Sequence, residues 1–165
     1  MSHKNRVVDR VDFVLIVTSD RVYKGEVEDK ITPMVRNLLA TSNKFRLIYS
    51  IVVPNNYDLI RNKVEEGLSK ADVIIITGGT GVSSKDHIVK VVDSFDGYDL
   101  PGFGELFRFL SWEQVGARAW LSRAKARIVR GKVLLALPGS PNAVRLALEK
   151  LVLPVIDHLI WELRH

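Results

Sequence analysis

Residues Asp72-Val-Ile-Ile-Ile-Thr-Gly-Gly-Thr-Gly-Val-Ser-Ser-Lys-Asp86 constrain this chain more than any other stretch. An apolar run of strand length empties directly into a glycine-rich loop, and a carboxylate follows where a helix should begin. A parallel strand that ends in glycines lets backbone N–H groups approach an anion closely, and the next helix adds its positive N-terminal dipole. The element therefore reads as a phosphate-handling loop on an α/β fold, with Asp86 placed to hold a cation against the anion.

The remaining sequence supports that fold. Residues 12–18 are a second uninterrupted apolar run, as expected of a strand buried on both faces of a parallel sheet. Residues 45–53 form another, stopped by Pro54-Asn55-Asn56, and residues 132–137 run into Pro138-Gly139-Ser140. Helical spacing appears between them: Met34, Val35, Leu38 and Leu39 after a Thr32-Pro33 cap, then Leu59, Ile60, Val64 and Leu68, then Ile88, Val91 and Val92. Residues 21–31 and 96–104 read as loops, 105–117 as a helix interrupted near Ser111, and 119–128 as a strand followed by a turn at Val129-Arg130-Gly131. A last helix over 141–163 should be kinked or divided by Pro154. Alternating strands and helices predict a three-layer α/β/α sandwich around a mostly parallel central sheet. Ligands bind such sheets outside the carboxyl ends of the strands. The loops at Ser19-Asp20, Pro54-Asn55-Asn56, 78–86 and Pro138-Gly139-Ser140 should therefore meet on one rim.

The length of 165 residues suits one domain spanning 1–165, with residues 1–10 as a flexible or oligomer-contacting arm. No cysteine is present, which excludes disulfides and thiolate metal sites. The polar start shows no cleavage-like pattern, and no apolar stretch reaches the roughly 18–20 residues of a bilayer span, so a soluble cytoplasmic protein without membrane contact is expected. The net charge of +5 is concentrated. Between Glu113 and Glu149 there is no acidic residue, whereas Arg118, Arg123, Lys125, Arg127, Arg130, Lys132 and Arg145 all occur. Such a segment is either a solvated face or a draw for a polyanionic small molecule; no helix-turn-helix, zinc-finger or RNP-like pattern supports nucleic acid.

Gly78-Gly79-Thr80-Gly81 is neither a Walker A loop nor a dinucleotide fingerprint. Three glycines beside a threonine exceed what a tight turn requires, and suit a backbone cradle for phosphate or for a pterin ring. Asp86 is open to two interpretations. It is a helix N-cap worth about 1 kcal/mol, or a magnesium ligand, because hard oxygen donors beside phosphates suit that ion. Ser140-Pro141 is explained by capping alone, yet a second glycine loop on the same rim makes a two-sided cleft. Arg123, Lys125 and Arg127 alternate, so one strand face would present all three, either to guard a sheet edge or to bind. The histidines at 3, 87, 158 and 165 share no ligand spacing. Trp112, Trp120 and Trp161 read as core or subunit-contact residues.

Four ordered motifs together resemble the MoaB/MogA family of molybdenum cofactor biosynthesis, related to the G domain of gephyrin. They are Thr77-Gly-Gly-Thr-Gly-Val-Ser-Ser-Lys-Asp86, Pro101-Gly-Phe-Gly-Glu-Leu-Phe-Arg108, Leu121-Ser-Arg-Ala124 and Leu137-Pro-Gly-Ser-Pro-Asn-Ala-Val144. The resemblance runs from Val14 to the last helix. It implies a trimer or a hexamer of two trimers that binds molybdopterin, a pterin dithiolene with a terminal phosphate. Active members are implied to be adenylyltransferases that use ATP and magnesium, release pyrophosphate and pass the product to a metal-insertion protein. Carried over by position, Asp86 is the implied catalytic and magnesium-binding carboxylate. Ser19, Asp29, Thr77, Gly78, Gly79, Thr80, Gly81, Pro138, Gly139 and Ser140 are the implied substrate contacts.

The chain departs from the family pattern in three places. Asn55 stands where the family usually has a catalytic carboxylate; His87-Ile88-Val89 replaces a Val-Thr-Pro-like run; and Asp29-Lys-Ile-Thr-Pro33 keeps the early aspartate but loses Ser-Gly. The alternative to an enzyme is therefore a non-catalytic molybdopterin carrier. A nucleotide pyrophosphatase of the competence-damage type is a weaker third reading, since those proteins carry a different loop and longer chains.

Overall fold

The computed structural model describes residues 6–165. Its six strands are β1 (Val11–Thr18), β2 (Phe45–Val53), β3 (Val73–Gly78), β4 (Tyr98–Asp99), β5 (Lys125–Val129) and β6 (Lys132–Pro138), in the order β2-β1-β3-β6-β5-β4. The first four strands of that order are mutually parallel, while β5 and β4 add an antiparallel edge.

Side-chain parity builds the three layers. Phe13, Leu15 and Val17 of β1, Val73 and Ile75 of β3, and Val133, Leu135 and Leu137 of β6 all face one side. There they meet α2 (Ile31–Leu39), α5 (Pro101–Val115), α6 (Pro141–Ala147) and α7 (Ile156–Arg164). The intervening residues Val14, Ile16, Ile74, Ile76, Leu134 and Ala136 face the other side, against α3 (Tyr57–Leu68) and α4 (Ile88–Asp93). Ile74, Ile75 and Ile76 are all fully buried. A strand covered on both faces needs no polar alternation, which is why these runs are continuously apolar. The predicted three-layer sandwich with a mostly parallel sheet is the fold observed.

Several boundaries differ from the sequence expectations. The loop expected over 21–31 begins with a short helix, α1 (Asp20–Tyr23), capped by Ser19. Thr32 does not cap α2; the Asp29 carboxylate does, accepting from the N–H groups of Ile31 at 2.9 Å and Thr32 at 3.0 Å. The loop expected over 96–104 contains β4, and α5 starts at Pro101, whose fixed φ suits a first-turn position. Ser111 does not interrupt α5, because its hydroxyl donates to the Phe107 carbonyl along the helix at 2.7 Å. The strand expected over 119–128 begins only at Lys125, after a 3-10 turn over Gly116–Leu121. The β5–β6 hairpin turns through Arg130 and Gly131, both at positive φ (53° and 72°), as a two-residue turn matched to strand twist requires. The last helix is divided as expected: α6 passes into a π-helical turn over Leu148–Val152, and α7 restarts beyond Pro154.

Of the arm expected over residues 1–10, residues 1–5 (with His3) lie outside the described residues. Val8 is buried and its N–H donates to the Asp157 carbonyl. Among the described residues, no helix is long and apolar enough to cross a membrane.

Candidate functional site

The strand ends reach one level. Thr18 pairs with Val53, Val17 with Thr77, and Gly78 with Pro138, so the loops after β1, β2, β3 and β6 leave the sheet side by side. Hydrogen bonds then tie them together. The Asn55 N–H donates to Asp20 Oδ1 at 2.8 Å, and the Asn55 side-chain amide donates to the Lys85 carbonyl. Ser19 donates its N–H to the Val53 carbonyl at 3.0 Å, and its hydroxyl oxygen accepts from Val22 N–H, capping α1.

Glycine is required at the centre of this arrangement. Gly78 has φ +148°, and a Cβ there would lie 1.8 Å from Thr18 Oγ1. That hydroxyl lies so close because it donates to the Thr77 carbonyl at 2.7 Å. Gly139 packs on the same backbone; its Cβ would lie 3.3 Å from Gly78 Cα. The two glycine loops are therefore in backbone contact across the β3–β6 ladder.

Asp86 does not cap the helix that follows it. Helix α4 starts at Ile88 behind His87, with no side-chain cap. Asp86 folds back onto the loop instead: a Cβ on Gly79 would lie 2.1 Å from its Oδ1, one on Gly81 3.0 Å from its Oδ2, and Oδ2 accepts from the Ser83 N–H at 3.3 Å. The missing Cβ atoms leave room for the carboxylate to lie against loop backbone. Among the described residues, no group of three or more His, Asp or Glu side chains could hold a metal ion. A single carboxylate beside an anion cradle still fits magnesium, which usually takes one or two carboxylates and completes its shell with phosphate oxygens and water.

Thr77 is fully buried, and its hydroxyl has no protein partner. It lines a cavity of about 240 Å³ with Thr18, Ser19, Asp29, Lys30 and Gly139. A buried unsatisfied hydroxyl costs about 1–3 kcal/mol. Ser140 caps α6, its oxygen accepting from Ala143 N–H at 3.2 Å, and it lines a separate cavity of about 440 Å³ with Gln114, Arg118, Ser122 and Asn142. Pro138 borders that second cavity, while Gly139 borders the first. The loops that carry Ser19, Asn55, residues 78–86 and Pro138-Gly139-Ser140 thus leave the sheet side by side; Ser19, Asp29, Thr77 and Gly139 line the first cavity, Pro138 and Ser140 the second, and Gly79, Gly81 and Asp86 lie against one another on the loop between β3 and α4.

Two residues at this rim were given no role by the sequence motifs alone. Asp20 belonged to a predicted loop without an assigned contact, yet it holds the Asn55 backbone. Arg123 was expected on a strand face with Lys125 and Arg127. It lies instead before β5, its N–H donating to the Thr80 carbonyl at 2.8 Å and its Nε to the Gly81 carbonyl at 2.9 Å. The other two cations of that trio are used locally: Lys125 bridges Asp93 and Asp99, and Arg127 pairs with Asp99. Burial opposes the charge on Asp99, but hydrogen bonds from Lys125 and Arg127 outweigh it and hold that carboxyl below the usual range. Trp112 and Trp120 are not core residues; they are 60% and 76% exposed.

The chain is similar to known proteins over nearly its whole length. The family described as a probable molybdopterin binding domain matches residues 14–158. Molybdenum cofactor biosynthesis protein B of Staphylococcus aureus is 40% identical over 165 residues, covering 98% of this chain and 97% of the relative. The crystal structure of the tungsten cofactor synthesizing protein MoaB from Pyrococcus furiosus superposes with a TM-score of 0.86 at 35% identity, covering 96% of this chain and 99% of that one. A structure of MogA superposes with a TM-score of 0.82 at 27% identity, covering 92% and 99%.

Proposed function

Since this chain belongs to the MoaB/MogA family of molybdenum cofactor biosynthesis proteins and carries its molybdopterin-binding domain, we propose that it adenylylates molybdopterin with magnesium ATP in the cytoplasm. An oxygen of the pterin's terminal phosphate attacks the α-phosphorus of ATP. A new P–O–P bond forms, the bond from the α-phosphorus to its bridging oxygen breaks, and pyrophosphate leaves with the electron pair. Phosphoryl transfer of this kind needs positioning and charge neutralisation more than covalent help. Asp86 would hold magnesium, which would supply positive charge against the phosphates. The chain's own part is to align the reactants. The glycine loop offers backbone N–H groups, Asp86 would hold the cation beside them, and the cavity lined by Thr77 and Gly139 suits a heterocycle with several polar edges.

The observation that carries this reading is the position of Asp86, folded onto Gly79 and Gly81 rather than onto the helix after it. Purified protein incubated with ATP, magnesium and molybdopterin should yield adenylylated pterin and pyrophosphate in equal amounts. Absence of product with intact pterin binding favours the carrier alternative. That second reading draws on Asn55, whose amide is committed to the Lys85 carbonyl and which brings no charge for magnesium. A carrier would bind molybdopterin with an affinity indifferent to ATP and magnesium.

The proposal extends to assembly. Phe109, Trp112 and Trp120 are 75%, 60% and 76% exposed and line one shallow cavity with Ala117 and Ala119. A second copy of this chain is the occupant that fits a trimer or a hexamer. The adenylylated pterin would pass to a metal-insertion protein for loading with molybdate or tungstate.

A further inference from the structure

Adenylyl transfer as proposed gives Arg123 of the Leu121-Ser-Arg-Ala124 segment no task. Arg123 makes two hydrogen bonds to the glycine loop, through its N–H to Thr80 and through Nε to Gly81. Those bonds leave the terminal guanidinium nitrogens unspent: among the described residues Arg123 forms no ion pair. Its neighbours Lys125 and Arg127 are both paired. Arg108 Nη1 donates to the carbonyls of Ser122 and Ala124, at 3.3 Å each, and so braces the backbone on both sides of Arg123.

Arg123 also lines an open cleft of about 470 Å³ with Pro101, Arg108, Ser122 and Lys125. Three carboxylates line the same cleft: Asp93 and Asp99 are taken up by Lys125, while Glu105 forms no ion pair among the described residues. This cleft shares no lining residue with the Thr77–Gly139 cavity. Arg123 and Asp86 both contact the neighbourhood of Gly81, yet they do not pair with each other. A cation and a carboxylate held apart at one backbone position suit an anion that bridges them through a metal ion.

We propose that Arg123 binds the β- and γ-phosphates of the nucleotide, the pair that departs as pyrophosphate. The inference rests on the adenylyl-transfer reading for its reaction, but the ligand chemistry it requires is only a polyphosphate anion. Guanidinium donors pair with phosphate oxygens in a fork geometry that lysine cannot copy. Arg123 therefore acts on the leaving group, while the cavity with Thr77 holds the pterin.

The test uses inorganic pyrophosphate as probe, titrated calorimetrically with magnesium into the full chain and into Arg123→Gln and Arg123→Lys. Expected is a loss of pyrophosphate affinity of about ten- to a hundredfold in Arg123→Gln, the range of a lost charge-assisted hydrogen bond. Arg123→Lys should fall between, and molybdopterin affinity should stay within about twofold in both. The KM for ATP should rise in step with the pyrophosphate loss. Unchanged pyrophosphate affinity in Arg123→Gln overturns the proposal. So does an equal loss of pyrophosphate and molybdopterin, which would make Arg123 merely a brace for the loop, and so does a wild-type protein that binds no pyrophosphate. Arg123-dependent pyrophosphate binding in a wild-type protein that forms no adenylylated product removes the adenylyl-transfer reading and leaves this one standing.

Discussion

Asp86 and Asn55 converge on the same turn of the glycine loop, one through its carboxylate and the other through Lys85. Their chemical difference sets two expectations. Asp86→Asn keeps the shape but removes the charge, so turnover should fall by about 10²–10³-fold, as when one preorganised charge-stabilising group is lost, while molybdopterin affinity changes little. Steady-state kinetics alongside equilibrium pterin binding would reveal this split, and equal losses in both would contradict the role. Asn55→Asp restores the charge usual in the family. It should raise the adenylylation rate by about tenfold, equivalent to about 1.4 kcal/mol in the barrier. A drop instead would mean that the Asn55–Lys85 bond matters more than the absent charge. Legibility at this scale was uneven. Glycines announce themselves by what a Cβ would strike. Asp86 as a cap and Asp86 as a loop carboxylate look identical in sequence, because both place an acid just before a helix. Arg123 was hidden by alternation with Lys125 and Arg127, a pattern that a strand and an irregular segment beside a strand can share.

Elements β1 and β3 are held at their starts as firmly as at their ends. Asp72 is buried, accepts from the Asp12 N–H at 2.9 Å, and pairs with Arg164 at 2.8 Å. Asp12 pairs in turn with Arg10 and Arg46. The hydrogen bond from Arg10 comes first among the influences that lower the Asp12 carboxyl below its ordinary value, with burial opposing. A depressed folded-state value gives stability that is present above the unfolded value of about 3.9 and is lost as pH falls through the folded one. Asp12→Asn should therefore lower stability at neutral pH by a few tenths to about 1 kcal/mol, and the gap from wild type should close as urea unfolding is repeated from pH 5 down to pH 2. A gap that stays constant over that range would refute the pairing as its cause. Parallel strands were readable because burial on both faces erases polar alternation. The antiparallel edge was not: β4 has only two residues, both exposed, and α5 starts inside a Pro-Gly-Phe-Gly sequence whose composition signals a loop.

For the whole molecule, assembly is the open property with the plainest signature. Exposed large apolar side chains on one face are costly to leave in water, at about 25 cal/mol per Å² of apolar surface. Replacing Trp112 and Trp120 by serine together should shift the protein from oligomer toward monomer in sedimentation velocity, without lowering the melting temperature of the monomer. An unaltered sedimentation coefficient would place the contact elsewhere. The sequence foretold a contact role as one of two for these tryptophans, but could not separate it from burial. The 3-10 turn that exposes Trp120 replaces what composition suggested was a strand.

The backbone contact between Gly78 and Gly139 also sets how the pocket can respond to its occupant. These residues leave neighbouring rungs of a single hydrogen-bonded ladder, so neither loop can withdraw without unzipping β3 from β6. That pair behaves as the fixed jaw of a vice. Residues 82–85 form the outer jaw: they are exposed and held by hydrogen bonds among Ser83, Lys85 and Asp86 and by the Asn55 amide. For the proposed reaction, the sheet side of the site is thereby set before any ligand arrives.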